Sequence, residues 1–277
     1  MVGELLHDEM VSVLGTTMIG HDHPTARQRA LVAALVLAGS AGVDIEELAD
    51  EVWAGRPPPS ARASLQNQMT RLRRRYGNDL IVSEGRHYRI GWTTDVAVLE
   101  GLVASPSAKP LASRVASLAE ALHRWRDLPY ADLDSHAADV ERARLSQLRC
   151  RCVEELALGR LEIGQSTEAV TDLRAEIELD PYRDRTWELL AIALHRGGRR
   201  AEALHVLADY ATRLREEFGA EPSPAMEALT SRIRGGGEPV SERSRAPFTG
   251  RPGHSPRLCH ARRCRSRRTG GSRRSES

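Results

Sequence analysis

Apolar residues recur at helical spacing along most of this chain. Near the start, Ala30, Leu31, Ala34, Leu35 and Ala38 share one helix face, and Gly39 and Gly42 close that segment. Asp44 stands three residues before Glu47, the spacing of a capping box, and opens a second helix with Ile45, Leu48, Val52 and Trp53 as its stripe. Pro57, Pro58 and Pro59 bar its continuation. Ser60 is a natural N-cap for a third helix that runs to about Tyr76 and buries Leu65, Met69, Leu72 and Tyr76. The period then shortens: Leu80–Val82, a turn at Glu84 and Gly85, and Tyr88–Ile90 predict a β-hairpin. Three short helices closed by a hairpin outline a winged helix-turn-helix over residues 24–93. Within residues 1–23, Met10–Ile19 is the stretch able to add strands beneath it.

Residues 94–235 read as successive helix pairs, with apolar stripes at Val96–Val103, Leu111–Trp125, Val140–Leu161, Val170–Leu179, Thr186–Leu194, Ala203–Leu214 and Met226–Ile233. Gly164, Glu168, Ala169 and Leu173 recur 34 residues later as Gly198, Glu202, Ala203 and Leu207. That period, with Gly and Ala expected at tight helix crossings, is the tetratricopeptide signature, and stacked pairs of this kind build interaction surfaces. From Gly235 on, Gly, Pro, Ser and Arg dominate, too apolar-poor to fold, so residues 236–277 are expected to be a disordered basic tail without a specific role. The fold class expected is mainly α, a winged helix-turn-helix domain followed by an all-α tetratricopeptide-like domain.

Composition narrows the function. With 277 residues, about two domains fit. The net charge of +2 is an average: residues 238–277 hold eleven Arg against three Glu, so the body is acidic. Lys109 is the only lysine among 40 basic residues, a bias of the kind a GC-rich genome imposes, and with Lys109 in SPSAKP there is no GxxxxGK[ST] loop. No apolar run approaches a membrane span, and the acidic start MVGELLHDEM lacks the basic opening of a secretory signal. Four cysteines do not make a disulfide framework, and Cys150 and Cys152, two apart, point about 200° apart on a helix, poorly placed to share a metal. A reducing cytoplasm is the expected home.

The third helix carries the chemistry. From Arg56 to Asn78 there are six arginines and no acid. With Leu65, Met69 and Leu72 facing the core, Gln66, Asn67, Thr70, Arg71, Arg73 and Arg74 lie on the sides or the exposed back. Arg, Gln and Asn match guanine and adenine edges, and neighbouring arginines hold phosphates. The plain alternative is a solvated basic helix end, but its place just before a wing favours DNA. Catalysis finds no support: there is no HExxH or GxSxG, and His21-Asp22-His23 reads as a disordered turn rather than a metal site. No cofactor and no metal are expected. A tetratricopeptide-type protein-interaction scaffold is the rival reading.

The run ARQRALVAALVLAGSAGVDIEELADEVW, then PPPSARASLQNQMTRLRRRYG, then the hairpin ending HYRI resembles the OmpR/PhoB-type winged helix of SARP (antibiotic regulatory protein) activators. The segments ALHRWRDLPYADL, ERARLSQLRCRCVEELALG and EALHVLADYATRLREEFGAEPSPAMEAL are similar to the bacterial transcriptional activation domain that follows it in that family. The resemblance covers about residues 10–235. It implies binding to double-stranded promoter DNA, commonly at direct repeats, and recruitment of RNA polymerase at biosynthetic gene clusters; a homodimer is compatible with it. It also places Arg71, Arg73 and Arg74 on the DNA-facing side of the recognition helix and Arg86 in the wing. The chain departs from the pattern in its shortened N-terminal strand region, and at Glu84 and His87 in the wing. RAPFTGR at 245–251 resembles the linker that begins an ATPase module in larger members, so the chain is also expected to be a truncated or frame-shifted relative of such a regulator. With about two dozen residues before the winged helix, no phosphoacceptor receiver domain is expected.

Overall fold

The computed structural model describes residues 9–104 and 110–236; Lys109 and the basic tail with RAPFTGR lie outside the described residues. Two short strands open the chain, β1 (Met10–Ser12) and β2 (Met18–Ile19), and three helices follow: α1 (Ala26–Leu37), α2 (Ile45–Val52) and α3 (Ala61–Tyr76), with a 3-10 turn at Gly39–Ala41. The hairpin of β3 (Ile81–Glu84) and β4 (His87–Ile90) is the wing, and β5 (Thr93–Thr94) leads into the helical layer. That layer is α4 (Asp95–Ala104), α5 (Leu111–His123), α6 (His136–Glu162), α7 (Ser166–Leu179), α8 (Asp184–Arg196), α9 (Arg200–Phe218) and α10 (Pro224–Arg234). The protein is mainly α, a winged helix-turn-helix followed by a tetratricopeptide-like helical domain.

Capping explains several of these boundaries. The Asp44 carboxylate accepts the N–H groups of Glu46 and Glu47, satisfying two donors at the start of α2. Ser135 and Ser223 cap α6 and α10 in the same way, each accepting the N–H three residues on. Ser60 departs from expectation: it occupies the N-cap position of α3, but its hydroxyl makes no capping bond, and Ala61 N–H is met by the Pro58 carbonyl instead. The proline run folds back as a turn and takes over the cap.

The repeat glycines also differ from their expected role. Ala169 and Ala203 are fully buried at helix crossings. Gly164 and Gly198 are not packed there: they follow the ends of α6 and α8 at φ +82° and +76°, with nothing within 4 Å of where a Cβ would stand. The repeat preserves a left-handed turn rather than a close approach.

The small platform is a three-stranded sheet of order β2-β1-β5, with β1 antiparallel to β2 and parallel to β5. Thus the shortened N-terminal strands are completed by a strand from beyond the wing. Asp95, the first residue of α4, is buried beneath this sheet and accepts the N–H groups of Val13, Leu14 and Val96. Burial raises its carboxyl pKa, and those three bonds pull the other way.

Two apolar cores result, and they meet on α6. Ala138, Leu145, Cys152 and Leu156 pack with Leu31, Leu35, Leu65 and Leu72 of the winged helix. Val153, Ala157 and Leu161 turn to the second core with Leu173, Leu190, Leu207 and Ile233. Cys150 and Cys152 are buried within this helix, and burial pushes both thiols up to about 12; Glu176, which accepts from Cys150, adds to the shift there.

Candidate nucleic-acid interface

At about 100° per residue, Ala63, Gln66, Asn67, Thr70, Arg71 and Arg74 fall within an arc of roughly 140° on α3. All six are exposed. Ala61, Leu65, Met69 and Leu72 occupy the opposite face and are buried. Thr70 spends its hydroxyl on the Gln66 carbonyl one turn back. The side chains of Gln66, Asn67, Arg71 and Arg74 make no hydrogen bond or ion pair among the described residues, so α3 presents two amides and two guanidiniums outward. Arg86 likewise stands exposed at the tip of the wing, without an ion pair among the described residues.

The six arginines of the basic run divide by geometry. Arg62 pairs with Glu46 of α2 at 2.7 Å. Arg75 pairs with Asp22 at 2.6 Å and lies over the Tyr76 ring. Arg73 is engaged within the fold: its Nε and Nη2 donate to the Ile81 carbonyl at 2.9 and 2.8 Å, and Nη2 also donates to Ser83 Oγ at 2.6 Å. Position 73 lies on the flank of α3, on the side of Met69, so its fork reaches the wing instead of the outward face. Arg56, Arg71 and Arg74 keep their side chains free of ion pairs among the described residues.

The HDH turn is ordered, contrary to expectation. Ile19 and Asp22 form a β-bridge, and Asp22 accepts from both Tyr76 and Arg75. The Tyr76 hydroxyl, then the Arg75 guanidinium, hold its carboxyl below the usual range. Asp22 is therefore a fastener for the C-terminal end of α3. Tyr76, expected in the core, is half-buried and meets Trp92 edge to face at 6.4 Å. Among the described residues no group of three metal-ligating side chains converges, and no helix is long and apolar enough to cross a membrane.

The wing is anchored on its β4 side. Val43 and Tyr88 exchange backbone bonds at 3.0 and 2.8 Å. Gly42 beside them has φ +68°, and a Cβ there would come within 2.9 Å of the Tyr88 carbonyl oxygen. In the hairpin itself Glu84 pairs with Arg89 at 2.6 Å, so the acid at this departure from the family pattern is locally neutralised.

Residues 94–234 match the model of the bacterial transcriptional activator domain. The chain belongs to that family. Among its relatives are the regulatory protein AfsR of Streptomyces griseus, 34% identical over 79% of this chain and 23% of AfsR, and DnrI of Streptomyces peucetius, 28% identical over 80% of this chain and 91% of DnrI. These place it with the SARP-type activators. The chain spans 23% and 22% of the two AfsR proteins it matches. The structure of Mycobacterium tuberculosis EmbR in complex with a low-affinity phosphopeptide superposes at a TM-score of 0.70, with 24% identity over 83% of this chain and 66% of that one; the likeness is one of fold.

Proposed function

We propose that this chain binds double-stranded promoter DNA sequence-specifically through α3 and the wing, and activates transcription by engaging RNA polymerase at biosynthetic gene clusters. One observation carries the DNA reading: the face of α3 opposite the core presents Gln66, Asn67, Thr70, Arg71 and Arg74, with the amides and guanidiniums unspent. Gln66 and Asn67 are suited to adenine edges, Arg71 and Arg74 to guanine or phosphate, and Arg86 to the backbone beside the wing. Recruitment of polymerase rests on the family, and the gene-cluster context on the SARP-type resemblance. Arg73 is left out of the contact set because its fork is occupied.

The test begins with a duplex enriched from a random library by the full chain. Replacing Arg71 and Arg74 with Ala is expected to weaken binding to that duplex at least tenfold, and to lower the salt slope by about two if both touch phosphate. An unchanged affinity and slope would overturn this interface, and failure to enrich any duplex would favour the protein-interaction scaffold.

A further inference from the structure

We propose that Arg73 and Ser83 are positioning residues that fix the angle between α3 and the wing, and through it the place where Arg86 meets the duplex. This rests on the DNA-binding reading above. Beyond its apolar residues in the first core, the wing has two polar attachments among the described residues. On one side the Val43–Tyr88 bridge ties β4 to the loop before α2, and β4 also lies against α1 and the 3-10 turn. On the other side the Arg73 side chain crosses from α3 to β3.

The two ends of that crossing differ in kind. Ile81 is fully buried and paired with Ile90, so its carbonyl is a fixed point in the core. Ser83 is exposed, two residues nearer the tip. One planar guanidinium bonds both, which holds the direction of β3 as well as its distance from α3; a lysine ammonium, a point donor on a flexible stem, would fix that direction less firmly. Ser83 lies one residue before the last pair of the hairpin, Glu84–His87, and Arg86 sits in the turn just beyond it, so a rotation at the strut is carried to the tip. Without the strut, the part of the hairpin beyond the buried Ile81 is held by its β4 attachment alone, and Arg86 loses its register with the recognition helix.

Direct contact and positioning predict different salt behaviour. If Arg73 itself touched a phosphate, removing its charge would lower the salt slope by about one. Removing a strut costs only the phosphate contact that Arg86 makes, so it lowers the slope no further once Arg86 is already Ala. Fluorescence anisotropy of the full chain on the enriched duplex, at several salt concentrations, is expected to show Arg73→Ala weaker by about tenfold, Ser83→Ala, which removes no charge, weaker by about threefold, and Arg73→Ala in an Arg86→Ala background with the slope of Arg86→Ala alone. The Arg73→Ala, Ser83→Ala double variant should bind no worse than Arg73→Ala, and Arg86→Ala should cost less in the Arg73→Ala background than alone. A slope in the Arg73→Ala, Arg86→Ala double variant lower by about one than in Arg86→Ala, or wild-type affinity in Ser83→Ala, would overturn the strut and leave the DNA reading intact. If Arg73→Ala does not fold, as its thermal melt would show, Ser83→Ala decides alone. A wild-type chain that enriches no duplex ends both readings.

Discussion

Replacing Asp132 with Ala tests whether the winged helix and the helical layer hold together as the contacts indicate. Asp132 sits in the loop between α5 and α6, with its side chain 9% exposed. Its Oδ1 accepts from Arg29 Nε of α1 at 2.7 Å, and its Oδ2 accepts from Thr17 N–H at 2.8 Å. Hydrogen bonds to a charged group contribute about 1.5–3 kcal/mol each. The Arg29 side chain is 26% exposed and keeps its bond to the Pro24 carbonyl, so it partly rehydrates and its share falls at the low end. The Thr17 N–H sits beneath the loop on a fully buried residue and is left without its acceptor. The sum is about 3 kcal/mol, equivalent to a fall in Tm of roughly 6–12 °C for a body of this size.

Thermal unfolding followed by circular dichroism is the assay, with tryptophan fluorescence in parallel. Trp53 and Trp92 report on the winged helix, and Trp125 and Trp187 on the helical layer. Both signals should move together, because the first core draws on both parts. Asp132→Asn retains an acceptor and should recover part of the loss. In a double-mutant cycle, Arg29→Ala with Asp132→Ala should cost less than the sum of the singles by about 0.5 kcal/mol or more. A Tm shift below about 2 °C, or strictly additive singles, would refute the seam as a source of stability.

Two further perturbations follow from single contacts. Gly42→Ala forces a side chain into positive φ and against the Tyr88 carbonyl, so it should destabilise the protein by more than about 1 kcal/mol and lower affinity for the enriched duplex, read by thermal melting and anisotropy together. Glu51→Gln gives a pH dependence: burial raises the Glu51 pKa while the bond from Ser135 opposes it, so the folded chain holds that proton to higher pH than the unfolded one and loses this contribution as pH rises through the folded value. The variant's Tm relative to wild type should therefore rise between pH 4 and pH 7; a flat difference would show that Glu51 titrates alike in both states.

What the linear sequence discloses depends on how local the cause is. The outward face of α3 is legible because burial of Leu65, Met69 and Leu72 determines which residues lie opposite, and that needs only the period of a helix. Arg73 escapes the same logic. It is on the flank, and its acceptors are eight and ten residues away across a turn, so periodicity marks it as available while the hairpin has already engaged it. Ser83 carries no signal at all until β3 is placed against α3. The repeat of Gly164 and Gly198 is visible as a period, but period alone does not tell a conformational glycine from a packing one. Ser60 has the right residue type for a cap, and the preceding prolines override it through the Pro58 carbonyl. The seam residues Arg29 and Asp132 are 103 positions apart, beyond the reach of any local pattern.

The short passage from wing to helical layer bears on the proposed activity. The wing passes to that layer through two-residue β5, which is itself paired with β1. The buried Asp95 carboxylate then fastens the start of α4 to the backbone of Val13 and Leu14. On the far side of the platform, Arg126 and Tyr130 donate their N–H groups to the carbonyls of Leu14 and Val13. Thus the same β1 end is bonded by the residue that follows the wing and by the loop that precedes α6. Since α6 also carries the second core, the tetratricopeptide-like layer is packed against the winged helix over apolar contact, not tethered to it. A partner engaged by that layer would therefore be held at one orientation to the duplex read by α3. In this molecule, specificity for a promoter and placement of whatever the helical layer contacts would be set by one continuous packing arrangement.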